Sequence, residues 1–131
     1  MKTPAAYLAT LLFFLAVDML WLGFVAKDFY RASIGHLMGG GFNFPAAIAF
    51  YLIYIAGLMF FAVNPSLASG DWQRAAFLGA ALGFFCYATY DLTNLATLKD
   101  WPLGITLADI AWGTVLSGAA AVVGYAVASR L

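Results

Sequence analysis

Four long apolar stretches, separated by shorter polar ones, divide the sequence. They run from about residue 4 to 26, 45 to 63, 74 to 98 and 103 to 129. Each is long enough to cross the hydrocarbon core of a bilayer as a helix. Pro4 and Pro45 suit helix starts, where proline's missing N–H is not needed, and Asn64 with Pro65 are expected to end the second helix. The pattern predicts an all-α integral membrane protein: a single domain folded as an up-down bundle of four helices.

The first loop, residues 27 to 44, has a pattern of its own. It is too long for a tight turn and too apolar for a solvated linker. Its apolar side chains share one face of a short helix that would lie in the membrane interface or re-enter it, and they are Phe29, Tyr30, Ile34, Leu37 and Met38. Three glycines at 39 to 41 would form a flexible hinge behind this helix. The segment is either a lid over a site below it or a plain connector.

Composition agrees with the membrane assignment. Hydrophobic residues make up 65% of the chain and charged residues 9%, with a mean hydropathy of +0.92. Soluble domains carry about 25% charged residues. The net charge is zero, and no basic tract is present that would attract nucleic acid. Basic residues divide equally between the two membrane faces, so the positive-inside rule does not determine the orientation.

Three aspartates, Asp18, Asp91 and Asp109, interrupt the apolar stretches. A carboxylate in hydrocarbon costs at least about 3 kcal/mol unless it finds partners, so intramembrane acids are candidates for function. Counted from the nearest loops, all three fall about 10–14 Å below the same membrane face. The sequence therefore predicts that they face the bundle interior and form one polar site. They are also the candidate catalytic residues if the protein is an enzyme, a question that the sequence leaves open.

Further polar and aromatic residues share helix faces with these acids. Tyr87, Tyr90, Asp91 and Asn94 follow i, i+3, i+4, i+7 spacing, which forms one stripe on a helix. Asp18 with Trp21, and Asp109 with Trp112, are acid and indole pairs three residues apart. The complete set of candidate ligand-binding residues is Asp18, Trp21, His36, Tyr51, Tyr54, Tyr87, Tyr90, Asp91, Asn94, Asp109 and Trp112.

Two of these assignments have simpler alternatives. His36 is the only histidine and lies on the membrane face nearest the acids, but a lone loop histidine is also typical of a solvated surface. The acids could be neutral, hydrogen-bonded groups that fix helix register without any chemistry. If the three carboxyls are close together, at least one should be protonated at neutral pH, or a cation should be shared among them.

Small residues recur at four-residue spacing on two of the predicted helices. The third helix carries Ala75, Gly79 and Gly83, and the fourth carries two such series. This spacing lets helix backbones approach closely, and we expect the seams to lie within the bundle rather than between copies of the chain.

The chain resembles a known family in several places. The motif that carries most of the resemblance is the run from Tyr87 to Thr97 (YATYDLTNLAT), followed by Trp101 and Pro102. The other matching motifs are DMLWLG from Asp18, IGHL from Ile34 and DIAWGT from Asp109. In these motifs the chain is similar to a family of small bacterial predicted membrane proteins of unknown function. The resemblance implies a four-helix protein of the bacterial inner membrane. It implies no reaction, ligand or catalytic residue.

Function must therefore be argued from the residues. No phosphate-binding glycine loop, zinc-type Cys/His spacing or paired haem histidines are found, and no cofactor or metal is indicated. The residues favour a pocket in which acids and Asn94 hold the polar head of a small amphipathic or lipid-like ligand, which the protein binds or also modifies. The alternatives are a proton- or cation-coupled carrier acting as a homo-oligomer, and an accessory subunit of a membrane complex.

Overall fold

The computed structural model describes residues 2–37 and 43–131, which fold into helices with no β-strand among them. The helices are α1 (Lys2–Leu20), α2 (Lys27–Ile34), α3 (Phe44–Leu58), α4 (Asn64–Ser69), α5 (Trp72–Thr97) and α6 (Leu103–Ser129). A π-helical segment, Trp21–Val25, continues α1, and a second one, Met59–Val63, joins α3 to α4. A 3₁₀ turn, Gly35–Leu37, follows α2.

Four helical stretches of the described chain are long and apolar enough to cross a membrane. They are Thr3–Val25, Phe44–Ser69, Trp72–Thr97 and Leu103–Ser129, and we refer to them as the first to fourth spans. The all-α membrane fold predicted from the apolar pattern is thereby confirmed.

The predicted end of the second span was wrong. Asn64 and Pro65 do not stop the helix, which continues to Ser69 and ends at Gly70 with a positive φ of 69°. The Met59–Val63 π segment precedes Pro65, so the proline occupies the first turn of α4, where its missing N–H breaks no hydrogen-bond ladder. An Asp71 side chain then caps α5 by accepting from the Gln73 N–H at 2.9 Å.

α6 is the centre of the bundle, and it packs along α5 more extensively than along any other element. The small-residue seam makes this approach close. A Cβ atom added at Gly79 would lie 2.6 Å from Ala121 Cβ and 2.7 Å from the Ser117 carbonyl oxygen, both on α6. Gly113 in turn lies against the ring of Tyr87. These seams lie within one chain, as the small-residue spacing predicted.

The first loop forms α2, as its apolar spacing predicted, and α2 lies across the start of α6. Tyr30 is buried there beside Ala26 and Ile105, and Ile34 packs against the same cluster. Phe29 and Leu37, which the sequence placed on the same apolar face, are exposed instead. Met38 and the three glycines of the expected hinge lie outside the described residues.

A cavity between the four spans as candidate functional site

A cavity of about 640 Å³ lies between the four spans. Every span contributes side chains to its wall, which consists of Asp18, Leu22, Phe50, Tyr51, Tyr54, Cys86, Tyr87, Tyr90, Asp109 and Trp112. Pockets for small organic ligands commonly have volumes of about 300–1,000 Å³ and are mostly apolar with a few convergent polar groups. This cavity fits that description, since two carboxyls stand among aromatic and aliphatic side chains.

Asp18 connects three spans through its carboxyl group. It is 6% exposed, and its Oδ2 accepts a hydrogen bond from the Tyr51 hydroxyl at 2.7 Å. Its Oδ1 accepts one from Trp112 Nε1 at 3.1 Å. Hydrogen bonds to a charged acceptor are roughly twice as strong as neutral ones. The two donors therefore offset much of the cost of placing this acid in the membrane.

Asp109 accepts a hydrogen bond from a side chain of α2. The Tyr30 hydroxyl donates to Asp109 Oδ1 at 2.9 Å and accepts from Trp21 Nε1 at 3.3 Å. Tyr30 lies outside the spans, and burial raises the pKa of its hydroxyl above the ordinary value. The hydroxyl consequently stays protonated and remains a donor to Asp109. Tyr30 was expected only on an apolar face, so this polar contact was missed from the sequence.

The acid of one acid and indole pair accepts a hydrogen bond from the indole of the other pair. Each aspartate shares a helix face with one tryptophan, yet Asp18 receives its indole N–H from Trp112, on the opposite span. The rings of Trp21 and Trp112 stack with centroids 4.3 Å apart and planes 8° from parallel. This crossed bond and the stack join the first and fourth spans beside the cavity, whereas Trp21 is linked to Asp109 only through the Tyr30 hydroxyl.

Asp91 lies behind the cavity wall rather than on it. Its side chain is 0% exposed, and neither carboxyl oxygen has a hydrogen-bond partner among residues 2–37 and 43–131. The Asp109 carboxyl is an acidic neighbour of Asp91. Two carboxylates cannot bond to each other unless one of them carries a proton. The pair therefore differs from Asp18, whose two oxygens both have donors.

Aromatic rings form most of the remaining wall. Tyr51 and Tyr54 both contact Phe14, with ring centroids 5.9 and 5.4 Å apart, and Phe50 stacks on Tyr54 at 5.5 Å. The Tyr54 hydroxyl is 2.6 Å from the buried Ser117 Oγ. Hydroxyl and ring positions are thus fixed by neighbours on other helices, which makes the wall preformed.

We infer that the cavity opens between the second and third spans, from the way their helices pack and from the exposure of the wall residues on them. α5 packs closely on the Met59–Val63 segment, but α3 has few contacts with α5. The two spans therefore diverge from Met59 toward the start of α3. The wall residues Phe50 and Cys86, one on each of these helices, are exposed, as are Leu22 and Tyr90. An apolar molecule in the bilayer could enter there without passing through water.

Seven of the candidate residues named from the sequence line the cavity: Asp18, Tyr51, Tyr54, Tyr87, Tyr90, Asp109 and Trp112. The other four do not line it. Trp21 lies behind Trp112, Asp91 is buried behind Asp109, and Asn94 is partly buried further along α5. His36 is exposed on the 3₁₀ turn that follows α2, away from the wall.

Three wall residues were missed, although helix spacing points to each. Leu22 is four residues after Asp18, Phe50 is four before Tyr54, and Cys86 is four before Tyr90. Residues at this spacing share a helix face. Each is apolar or only weakly polar, so nothing but its position one turn from a polar wall residue distinguishes it in the sequence.

A smaller cleft adjoins the cavity. It has a volume of about 330 Å³ and is lined by Leu22, Gly23, Lys27, Tyr30 and Arg31. Leu22 lines both spaces. The basic side chains Lys27 and Arg31 line the cleft, and the acids line the cavity. Within residues 2–37 and 43–131, no three His, Cys, Asp or Glu side chains are arranged to hold a metal ion.

The spans and the acid-lined cavity define a polytopic α-helical membrane protein. The chain belongs to the family described as predicted membrane protein (DUF2177), whose model matches residues 3–126. The resemblance found in the sequence is thereby confirmed. No curated protein and no solved structure is detectably similar to the chain.

Proposed function

We propose that this membrane protein binds a small amphipathic or lipid-like molecule in the cavity between its four spans. The observation that carries the proposal is the combination of a cavity of about 640 Å³ with two carboxyls in an otherwise mostly aromatic wall. A polar head would bond to the acids, and an apolar body would contact the rings. Family membership supports the bilayer as its surroundings, and we place it in a bacterial inner membrane.

The position of the opening supports a ligand that arrives from the lipid phase. Phe50 and Cys86, at the divergence of α3 and α5, are apolar or weakly polar and exposed. A water-soluble substrate would require a polar entrance, whereas a molecule with an alkyl chain can leave part of that chain between the two helices. Such a binding protein would work as a single chain, since all four walls come from one copy.

A change that fills the opening tests this proposal. Cys86→Trp places a bulky side chain at the cavity wall, while Phe85→Trp adds a similar ring to the neighbouring side chain, which is 65% exposed and outside the wall. Both variants should fold, as judged by thermal unfolding in detergent. We expect native mass spectrometry of protein extracted with its lipids to show a bound amphiphile on wild type and Phe85→Trp, and at least about tenfold less on Cys86→Trp, a loss of about 1.4 kcal/mol.

The result that contradicts the proposal is equal retention by all three proteins, or no bound molecule on any of them. Retention that depends on a second copy of the chain would instead favour a carrier assembled as an oligomer. Instability of wild type after purification from its membrane would favour an accessory subunit.

A further inference from the structure

We propose that the head group held in this cavity is an organic cation of the alkylammonium type, and that Asp109, with Asp91 behind it, is its counter-charge. The inference rests on the proposed function and adds the chemical class of the ligand. It is drawn from the distribution of charge, hydrogen bonds and aromatic rings around the cavity.

The wall carries acids without any basic partner. Asp18 and Asp109 are its acidic members, and among the described residues no Lys, Arg or His side chain lines it. Two basic groups, Lys27 and Arg31, line the smaller cleft, which shares Leu22 with the cavity. An anionic head would face carboxyls with nothing to offset the repulsion, whereas a cation would supply the charge that the wall lacks.

The hydrogen bonds indicate which acid would face the cation. Both oxygens of Asp18 already accept from donors on other spans. Asp109 accepts from Tyr30 through Oδ1, and Asp91 beside it has two oxygens without any donor. Asp91 is completely buried, so this unpaired carboxyl is a costly arrangement that needs a proton or a nearby positive charge. A cation at Asp109 would supply that charge to both acids.

The aromatic wall suits an organic cation better than a metal ion. Tyr51, Tyr54, Tyr87 and Trp112 surround the space next to the acids. Their ring faces attract ammonium groups, and methylated ammonium groups most characteristically. A metal ion would need several oxygen ligands at one point, and the described residues provide no group of three acids, histidines or cysteines so arranged.

The experiment compares amphiphiles with one chain and different heads. Dodecyltrimethylammonium, dodecanol and dodecyl sulfate are added at equal mole fractions to the full-length protein in neutral-lipid nanodiscs. Occupancy is read from the rate at which N-ethylmaleimide alkylates Cys86, the only cysteine of the chain, which lies on the cavity wall. We expect dodecyltrimethylammonium to slow alkylation about tenfold more than dodecanol, as one charge-assisted contact would. Dodecyl sulfate should give no protection.

Matched variants locate the counter-charge. Asp109→Asn should reduce the preference for the ammonium over dodecanol to within about twofold. Asp28→Asn, on the exposed side of α2 and outside the cavity, makes the same change in net charge and should leave the preference intact. If Asp109→Asn does not fold, Asp91→Asn is used instead, because it keeps the hydrogen bond to Asp109 and removes the second acid. The preference of Asp91→Asn for the ammonium over dodecanol should also fall.

The outcomes separate this inference from the proposed function. Equal protection by dodecanol and the ammonium would overturn the cationic head and leave the lipid-like pocket standing. Better protection by dodecyl sulfate would overturn the charge argument. No protection by any of the three would count against both. A preference that persists in Asp109→Asn and Asp91→Asn would move the counter-charge away from this pair.

Discussion

At the scale of single residues, Asp91 has the most unusual surroundings in the structure. It has no exposed surface and no donor to either carboxyl oxygen, and its acidic neighbour is Asp109. In the absence of a bound cation, the simplest way to satisfy both groups is one proton shared between them. Metal-free protein should therefore show an infrared band of a protonated carboxyl at neutral pH, and Asp91→Asn should remove it. A spectrum with ionised carboxylates alone would contradict the shared proton.

Asp91→Asn also tests whether the acid is structural. The amide N–H can donate to Asp109 in place of the shared proton, so we expect the free energy of unfolding to change by no more than about 1 kcal/mol. Binding of the cationic amphiphile should weaken by about 1.5–3 kcal/mol, because a bound cation would allow Asp91 to ionise as a second counter-charge and an amide cannot ionise. His36→Ala, on the exposed turn after α2, should change neither quantity. A variant that loses stability and keeps full binding would indicate a structural role instead.

Single-residue logic predicted that these acids face the interior but not how they are bonded. The cost of a carboxylate in hydrocarbon is enough to direct Asp18 and Asp91 inward, and both are buried. The crossed bond from Trp112 to Asp18 depends on the relative rotation of two helices, which their separate sequences do not specify. The bond from Tyr30 to Asp109 depends on how a loop helix docks, and it was missed for that reason.

At the scale of helices, the seam between α5 and α6 fixes the frame of the cavity. Gly83→Ala should destabilise the protein by about 1–3 kcal/mol, because the added methyl group would overlap the Gly113 carbonyl and the Ser117 side chain. Gly57→Ala is the matched control, since its Cβ would meet only Leu82 Cδ2 at 4.0 Å. There the better helix propensity of alanine should leave stability unchanged or slightly higher. Thermal unfolding in one detergent compares the two, and equal effects would contradict close packing at the seam.

The spans were predictable because apolar length and small-residue spacing are local properties. The end of the second span was not, because it depends on where the helix changes its hydrogen-bond pattern. Pro65 normally signals a helix end, yet the Met59–Val63 π segment lets the chain continue to Ser69. The gap between α3 and α5 begins at this segment and extends along α3. The Met59–Val63 π segment therefore affects both the end of the second span and the position of this gap.

At the scale of the whole molecule, one chain supplies all four walls of the cavity. Asp18 and Asp109 of one cavity therefore always belong to the same copy. The same holds for Asp91 on α5, so co-expression of Asp91→Asn with Asp109→Asn should yield no cavity with wild-type preference for the cationic amphiphile, even if the protein forms homo-oligomers. To test this, assemblies that contain both variants are purified through a different tag on each, and protection of Cys86 from alkylation is measured as before. Recovery of about a quarter or more of wild-type sites would indicate a site shared between copies.

The stacked indoles of Trp21 and Trp112 give the protein an optical property of its own. Two chromophores with centroids 4.3 Å apart and nearly parallel planes couple their electronic transitions, so this pair should absorb and emit differently from separate tryptophans. The signal belongs to the contact between the first and fourth spans, next to Asp18 and its donor. A molecule that enters the cavity and draws Trp112 away from its neighbour would thus be seen in the near-ultraviolet spectrum of the unlabelled protein.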